Sequence, residues 1–363
     1  MPMSSLVCRS PSVISTSLLT LPLLRLAAPA RLVQPCAQRQ PQPQQARQAS
    51  GPVAVRRFSA SLTLSRKVAP TEAAHINEVR KTIADEFALI KDAYQSPKHP
   101  VVLAHGLLGF AELKLAGSYL PSIHYWRGIQ EALTAQGAEV ITASVPPSGS
   151  IEKRAAKLAQ DIEAQAQGKS VNVVAHSMGG LDARYMISQL RPKGVDVKSL
   201  VTIGTPHHGS AFADYLIDEL GPDYLPQVYK AWERVTGWEP SAFSQLTQKY
   251  MAEHFNPATS DDPNVQYFSY GAMVNGKPPL LSMFRISHKL IEEREGPNDG
   301  LVSVESSQWG TYKGTLTGVN HLDLINWTNR IRSNLQKLMG HPPSFNAVAF
   351  YLGIGDMLAK EGL

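Results

Sequence analysis

The sequence has few of the features that mark disulfide-rich, metal-thiolate or membrane-spanning proteins. Its 363 residues contain two cysteines, Cys8 and Cys36, so the chain beyond Cys36 forms no internal disulfide and offers no thiolate for catalysis or metal binding. The long apolar run from Val13 to Leu24 is broken by Pro22 and ends at Arg25, well short of the roughly 20 residues that a membrane-spanning helix needs. We therefore expect a globular protein without a transmembrane helix.

Acidic residues are absent from the first part of the chain. No Asp or Glu precedes Glu72, and the basic residues there are Arg9, Arg25, Arg31, Arg39, Arg47, Arg56, Arg57, Arg66 and Lys67. An Arg-rich, Ser-rich and acid-free composition is typical of an organelle transit peptide, and Arg56-Arg57-Phe58-Ser59-Ala60-Ser61 resembles a mitochondrial processing site. We predict a disordered mitochondrial transit peptide over residues 1–58 and a linker over 59–73. The alternative is a secretory signal ending near Ala28-Pro29-Ala30, but the arginines argue against it.

The net charge of +5 depends on this N-terminal segment. Removing residues 1–58 removes seven arginines and no acidic residue, which leaves 28 basic and 30 acidic residues. The basic balance of the whole chain is therefore a property of the targeting segment rather than of a nucleic-acid-binding surface. We predict no nucleic-acid partner.

Strand-like and helical patterns alternate through the rest of the chain. Strand-like runs occur at 101–104, 139–145, 171–174, 199–203 and 265–270, and helical patterns occur at 125–134, 151–167, 178–190 and 322–338. This alternation predicts an α/β domain over residues 74–363 with a mostly parallel, doubly wound sheet. Apolar spacing predicts one further amphipathic helix, from Ala74 to Tyr94, before the first strand.

The alternation stops between Gly209 and Asn264. This segment is rich in aromatic and large apolar residues and predicts two or three amphipathic helices. Because a connection of this length inside a compact domain is usually functional, we predict a cap or lid over about residues 210–264. The alternative is a helical insertion packed permanently on the sheet.

The segment Val171-Asn172-Val173-Val174-Ala175-His176-Ser177-Met178-Gly179-Gly180 predicts a nucleophile elbow. Its β-branched residues indicate a strand buried on both faces, and the small residues at 175, 179 and 180 let the strand, turn and helix backbones approach closely. Ala175 stands where the usual G-x-S-x-G pattern has its first glycine. Ser177 is the predicted nucleophile, and the alternative is a serine in an ordinary βα turn.

A serine nucleophile needs a histidine base that is oriented by a carboxylate. In proteins with this elbow the three follow the chain order Ser, acid, His. His321 fits because Gly318-Val319-Asn320-His321 ends a strand-like run and precedes a helical pattern. His207 and His208, directly after a strand, are the alternatives, and one of them could line the site.

Asp299 is the predicted acid because it lies in the turn-forming segment Gly296-Pro297-Asn298-Asp299-Gly300-Leu301-Val302, between the serine and the histidine. Asp182 and Asp323 are alternatives that fit an ion pair or a helix-start contact better. Acyl transfer also needs donors for the oxyanion, and we predict the backbone amides of Leu107 and Met178. His105 and His176 are expected to hold their loops rather than to transfer protons.

Together these segments resemble the α/β-hydrolase triacylglycerol lipases, particularly the bacterial true lipases and their fungal mitochondrial relatives. The resemblance covers about Pro100 to Leu338. It rests on ordered motifs: Pro100-Val101-Val102-Leu103-Ala104-His105-Gly106-Leu107-Leu108-Gly109-Phe110, Tyr125-Trp126, Ala175-His176-Ser177-Met178-Gly179-Gly180, Gly204-Thr205-Pro206-His207-His208-Gly209-Ser210, Asn298-Asp299-Gly300-Leu301-Val302 and Asn320-His321-Leu322-Asp323.

The resemblance implies an α/β-hydrolase fold with Ser177, Asp299 and His321 as a triad, Leu107 and Met178 as the oxyanion hole, and a mobile lid after Ser210. The bacterial relatives hold a structural calcium, for which Asp323 resembles one ligand. The second acidic ligand has no counterpart in Asn275-Gly276-Lys277-Pro278-Pro279. We therefore predict no metal and no cofactor.

The function implied by the resemblance is hydrolysis of carboxylic esters of lipids, with triacylglycerol as the leading substrate and a lipid or membrane surface as a peripheral partner. A phospholipase, a carboxylesterase, a thioesterase or an acyltransferase would use the same triad. A non-catalytic lipid-binding protein of the same fold is the alternative from another class. No oligomeric state is predicted.

Overall fold

The computed structural model describes residues 82–83, 86–107, 112–113, 123–219, 241–280, 282–327 and 345–363. The chain divides into two units, and all of these residues belong to the unit 66–363. The predicted transit peptide and linker lie outside the described residues, as do residues 220–240 of the predicted lid.

The described elements alternate along the chain. The strands are β1 (Thr82–Ile83), β2 (Val101–Ala104), β3 (Glu112–Leu113), β4 (Ile123–His124), β5 (Val140–Thr142), β6 (Ser170–His176), β7 (Asp196–Ile203), β8 (Gln266–Met273) and β9 (Thr311–Thr317). The helices are α1 (Ile129–Ala135), α2 (Ile151–Ala166), α3 (Gly179–Tyr185), α4 (211–219), α5 (Ser241–Gln245), α6 (Gln248–Tyr250), α7 (Asn256–Ala258), α8 (Arg285–Arg294) and α9 (Ala347–Lys360). Shorter turns are the π-helical Met186–Leu190 and Met251–Phe255 and the 3-10 helical Asp323–Ile325.

Seven strands form one sheet in the order β1-β9-β8-β7-β6-β2-β5, and every neighbouring pair is parallel. Successive side chains of a strand point to opposite faces, so β2 contributes to two apolar clusters. Val101 and Leu103 pack with residues of α1 and α9, whereas Val102 and Ala104 pack with residues of α2 and α3. The predicted doubly wound, parallel sheet is confirmed.

This strand order gathers the candidate residues at one edge of the sheet. β2 and β7 are the two neighbours of β6, and parallel strands present their carboxyl ends at the same edge. The loop after β2 and the turn after β7 therefore flank the turn after β6. The loops that follow β8 and β9 reach the same edge.

The predicted helix over Ala74–Tyr94 is wrong in its described part. Ile83 belongs to β1, which pairs in parallel with β9, and residues 86–94 form turns and irregular structure. Ile83 and Phe87 are buried, and the Phe87 ring packs edge-on against Phe350 with 5.1 Å between centroids. An apolar spacing of four residues is thus satisfied by an edge strand and a turn instead of a helix.

The two ends of the predicted lid are helical, as expected: α4 begins the segment, and α5, α6 and α7 end it. Of the predicted helix over 322–338, the structure describes residues 322–327. Asp323–Ile325 form a 3-10 turn there. α9 was not predicted from the sequence. None of the helices in the described ranges is long and apolar enough to cross a membrane.

Candidate active site

Ser177 lies in the tight turn between β6 and α3. Its φ of 56° is in the left-handed region, which is uncommon for a residue with a side chain and is found where the surrounding structure imposes it. The Ser177 amide donates to the Ile203 carbonyl at 2.9 Å, and the Ser177 carbonyl accepts from the Thr205 hydroxyl at 2.7 Å. The end of β7 therefore holds the turn in place, and the serine side chain is only partly buried.

Glycines around this turn permit a close crossing of backbones. A Cβ on Gly179 would lie 2.6 Å from the Ala104 carbonyl oxygen, and one on Gly180 would overlap the Thr205 hydroxyl. A Cβ on Gly106 would lie 2.7 Å from the Ser177 Cβ. The loop after β2 therefore passes directly beside the predicted nucleophile.

Asp299 and His321 meet at this edge of the sheet. The His321 Nδ1–H donates to Asp299 Oδ2 at 2.7 Å, and both residues are buried. Asp299 Oδ1 accepts from the amides of Leu301 and Val302, each at 2.9 Å, and the His321 amide donates to the Asp299 carbonyl at 3.0 Å. One carboxylate oxygen is thus held by the two amides, and the other orients the imidazole. With its proton on Nδ1, the ring has Nε2 as its basic nitrogen.

The histidine lies beside the serine turn. The His321 ring centroid is 4.6 Å from that of His176, the residue directly before Ser177. A Cβ on Gly204, which follows β7, would lie 3.2 Å from Asp299 Oδ2 and 3.5 Å from His321 Nδ1. The structure therefore brings the three predicted triad residues to one place, and their catalytic roles stay predictions.

The predicted oxyanion donors flank Ser177: Met178 follows it in the chain, and Leu107 follows Gly106, on which a Cβ would lie 2.7 Å from the Ser177 Cβ. Leu107 and Met178 pack in one apolar cluster, which also includes Leu181 of α3. Within the described parts of the chain, neither amide takes part in a backbone hydrogen bond. Two amides on either side of the serine are available to an oxyanion.

His105 fixes the loop after β2, as the sequence predicted. Its Nδ1–H donates to the Gly106 carbonyl at 3.0 Å, and its Nε2 accepts from the Val145 amide at 3.2 Å. Burial, with a smaller contribution from the Arg154 charge, lowers the pKa of His105 to about 4. The ring is therefore neutral and fully used in hydrogen bonds.

His176 is joined to the same loop through Tyr125. The Tyr125 hydroxyl accepts from the Gly106 amide at 3.2 Å and donates to His176 Nδ1 at 2.7 Å. Burial lowers the pKa of His176 well below its usual range. His176 thus connects the loop after β2 to the ring of His321 without carrying a charge. This role of Tyr125 was not predicted from the sequence.

A buried ion pair between α2 and α3 also holds the loop after β2. Arg154 on α2 donates to the His105 carbonyl at 2.8 Å and pairs with Asp182 Oδ2 on α3 at 2.8 Å. Burial raises the pKa of Asp182 to about 6, and the Arg154 charge opposes that shift. Asp182 therefore makes a structural ion pair, as expected of this alternative acid. The role of Arg154 was missed, although a charged residue on the apolar face of α2 was the available signal.

His207 and His208 contact a group of side chains that includes Trp309. His207 is buried and bonds the Thr202 hydroxyl through Nε2 at 2.9 Å, while its Nδ1 lies 3.3 Å from Nη1 of Arg184. The Arg184 guanidinium stacks 3.5 Å above the Trp309 ring, and His208 also contacts this ring. Both alternatives to His321 are thus occupied in a packed cluster.

No metal centre is evident in the ranges that the structure describes, because no three His, Cys, Asp or Glu side chains group there in a way that could hold an ion. Asp323 accepts from the Asn320 amide through Oδ2 at 3.1 Å, at the start of the 3-10 turn. This is the helix-start contact expected of that residue. The residues assembled at the sheet edge are those of nucleophilic acyl transfer.

Comparison with known proteins agrees with the fold. A model of the α/β-hydrolase fold family matches residues 99–237. Triacylglycerol lipase 2 of Saccharomyces cerevisiae is 36% identical over 318 residues, which cover 75% of this chain and 95% of the yeast protein. A triacylglycerol lipase of Burkholderia plantarii is 30% identical over 251 residues, which cover 67% of this chain and 60% of the bacterial one.

Solved structures share the fold. The mature lipase BlEst2 of Bacillus licheniformis has a TM-score of 0.50 at 22% identity. The match covers 70% of this chain and 96% of the BlEst2 chain. Lipase 1 of Pelosinus fermentans has a TM-score of 0.52 at 17% identity, and the match covers 73% of this chain and 99% of the Pelosinus chain. The yeast protein is matched over nearly its whole length at 36% identity, and the family model and the solved structures agree with that match. The chain therefore belongs to the α/β-hydrolase family, together with these triacylglycerol lipases.

Proposed function

We propose that the protein is a triacylglycerol lipase that acts through an acyl-enzyme on Ser177. The observation that carries this proposal is the 2.7 Å hydrogen bond between His321 and Asp299, next to the left-handed turn of Ser177. The 36% identity to a yeast protein named triacylglycerol lipase 2 supports triacylglycerol as the substrate class.

The proposed reaction follows from the positions of these groups. His321 Nε2 takes the proton of Ser177 Oγ as Oγ attacks the ester carbonyl, and Asp299 stabilises the imidazolium that forms. The Leu107 and Met178 amides donate to the oxyanion. Collapse of the tetrahedral intermediate breaks the ester bond, and His321 returns its proton to the departing alcohol. Water, deprotonated by His321, then attacks the acyl-enzyme, and the fatty acid departs as His321 returns the proton to Ser177 Oγ.

The segment 210–264 is proposed to act as a lid over this site. Its first residue is tied to the loop of Asp299, because the Ser210 hydroxyl donates to the Leu301 carbonyl at 2.8 Å. Its last part reaches the predicted oxyanion hole, since Ala242, Met251 and Phe255 pack in the cluster that contains Met178. Movement of this segment would expose an apolar rim, which favours a substrate presented at a lipid surface.

The experiment that tests the function compares protein beginning near Ser59 with its Ser177→Ala variant, on an emulsified long-chain triacylglycerol and on a soluble short-chain ester. Ser170→Ala, at the opposite end of β6, is the matched serine control. We expect Ser177→Ala to lower both activities by about 10³-fold or more and Ser170→Ala to leave them unchanged. Activity on the soluble ester alone would identify a carboxylesterase, and equal activity of Ser177→Ala and the parent would favour a non-catalytic lipid-binding protein.

We also infer that residues 1–58 direct the protein to mitochondria. The support is compositional: arginine and serine are frequent, and acidic residues are absent before Glu72. Residues 1–70 fused to a fluorescent reporter should accumulate in mitochondria. Appearance of the reporter in the medium would contradict this and favour the secretory alternative.

A further inference from the structure

Three large apolar side chains are exposed together in the segment before and at the start of α8. Leu280, Met283 and Ile286 are 79%, 77% and 72% exposed. Single exposed apolar residues are ordinary, whereas three within seven residues form a patch that needs an explanation. We call residues 277–280 and 282–289 the α8 entry surface.

The backbone of this surface is held in shape by its own hydrogen bonds. The Ser282 amide donates to the Pro279 carbonyl at 2.9 Å, and the Arg285 amide donates to the Ser282 carbonyl at 3.1 Å. The Arg285 guanidinium closes the loop by donating to the Pro278 carbonyl at 3.1 Å. The apolar side chains are thus presented on a pre-organised turn, so that little ordering is needed when they bind.

The α8 entry surface borders the proposed active site. Phe284 is buried between the exposed Met283 and Arg285, and a Cβ on Gly300 would lie 2.8 Å from the Phe284 Cβ. The Asn298 side-chain amide donates to the His288 carbonyl of α8 at 3.2 Å. Asn298 and Gly300 are the two neighbours of Asp299, so the surface is fixed to the loop of the proposed catalytic acid.

The charged residues within the α8 entry surface are basic, and acidic residues follow only in the next turn of α8, where Glu293 lies 3.7 Å from Lys289. Lys277, Arg285 and Lys289 are exposed beside the apolar residues. No Asp or Glu occurs between Asp262 and Glu292. Lysine and arginine at the edge of an apolar patch can keep their charged ends at the level of lipid phosphates while the apolar residues enter the acyl boundary.

We propose that the α8 entry surface docks the protein on an anionic lipid layer, with Leu280, Met283 and Ile286 inserted below the headgroups and Lys277 and Lys289 against the phosphates. This proposal rests on the proposed function only in that the lipid layer would also present the ester substrate. It assigns the contact to a surface outside the predicted lid.

Vesicle binding of the full chain tests the proposal, with Ser177→Ala as the parent so that no lipid is consumed. The probes are vesicles of phosphatidylcholine alone and of phosphatidylcholine with phosphatidylglycerol, separated by flotation. Changing Leu280, Met283 and Ile286 to Ser together should weaken binding to the anionic vesicles by about tenfold or more. The control changes Leu89 and Ile90 to Ser, two other exposed apolar residues, and should bind as the parent does.

The charged rim is tested in the same background. Lys277→Gln with Lys289→Gln should weaken binding to anionic vesicles at low salt more than at high salt, whereas Lys193→Gln, exposed elsewhere, should not. Equal binding of the triple Ser variant and the parent would overturn the proposal, as would an equal loss in the Leu89 and Ile90 control.

Hydrogen exchange separates this surface from the arginine-rich N-terminal segment, which is common to all variants. Peptides covering 277–289 should exchange more slowly when anionic vesicles are added to the parent. Unchanged exchange there would overturn the proposal, as would protection that appears without lipid at high protein concentration, which would assign the surface to a second copy of the chain. Failure of the proposed function would appear separately, as absence of ester hydrolysis in the chain that keeps Ser177, together with intact vesicle binding of the Ser177→Ala parent.

Discussion

A single hydroxyl joins the loop after β2 to the serine turn. The Tyr125 oxygen accepts from the Gly106 amide and donates to His176 Nδ1, and both partners are buried. Removing the hydroxyl in Tyr125→Phe leaves two buried polar groups without a partner. This should lower the free energy of unfolding by roughly 1–3 kcal/mol and reduce turnover, because Gly106 adjoins the predicted oxyanion donor.

Tyr351 offers the matched control for that substitution. It is equally buried, and within the described parts of the chain its hydroxyl has no hydrogen-bond partner. Tyr351→Phe should therefore leave stability unchanged or raise it. Urea denaturation of the two variants beside the parent measures the difference, and equal midpoints for the two variants would contradict this account of Tyr125.

Glycine has opposite effects at two helical positions. A Cβ on Gly179 would meet the carbonyl oxygens of Ala104 and His105 at 2.6 and 2.8 Å, and backbone atoms of a central strand have no room to move. A Cβ on Gly355 in α9 would find its nearest atoms at 3.5 Å, in ordinary contact. Gly355→Ala should stabilise by about 0.5–1 kcal/mol, whereas Gly179→Ala should prevent normal folding or activity. Thermal unfolding of both variants is the measurement, and a tolerated Gly179→Ala would refute the crossing described here.

At the scale of elements, the proposed lid and the loop of the proposed catalytic acid, Asp299, share an anchor. The Glu295 carboxylate accepts from the Ala211 amide at the start of α4 with one oxygen and from the Ser303 hydroxyl with the other. A carboxylate at the N-terminus of a helix is also favoured by the helix dipole. Glu295 therefore sets the base of the segment 210–264 relative to the loop of Asp299.

Glu295→Gln should loosen that base, because it replaces charge-assisted bonds worth roughly 1.5–3 kcal/mol with weaker ones. Amide exchange over residues 211–219 should become faster, and hydrolysis of the emulsified ester should change more than that of the soluble one. Glu293→Gln is the control, since Glu293 is exposed and, among the described residues, its ion-pair partner is Lys289 at 3.7 Å. Equal exchange in the two variants would exclude Glu295 as the anchor.

Elements with a strong local pattern were predictable from the sequence. β2, β6 and β7 are rich in β-branched residues, chiefly valine, and α2 has an apolar stripe with Ser150 as its N-cap. β1 was missed because its two residues gain their structure from pairing with β9, more than 200 residues away. α9 was missed because its buried residues lie on several faces, so that it shows no amphipathic period.

The candidate site divides in the same way. Ser177 follows from a local motif, and chain order with turn chemistry indicates Asp299 and His321. The residues that hold these in place, Tyr125 and Arg154, act through partners far along the chain, which no local pattern specifies. Of the two, only Arg154 has a signal in the sequence, because it is a charged residue on the otherwise apolar face of α2.

At the scale of the whole molecule, histidines that the core keeps neutral couple folding to pH. Burial lowers the pKa of His105 to about 4 and holds the pKa of His176 and His207 well below the usual range. In the unfolded chain these side chains bind protons near their ordinary pKa of 6.5. The unfolded state therefore binds more protons than the folded state below that pH, and protonation favours unfolding.

Stability should consequently be complete above about pH 6.5 and fall as the pH drops toward 4, with roughly 3 kcal/mol from His105 alone. Asp182 acts in the opposite direction, because its raised pKa of about 6 lets the folded state take up a proton first, but it is one group against three. Urea denaturation near pH 7 and near pH 5 measures the slope. His105→Gln should flatten it even though the variant is less stable at both values, while His254→Gln, exposed on the surface, should keep the parent slope. A stability that rises on acidification would show that Asp182 outweighs the histidines.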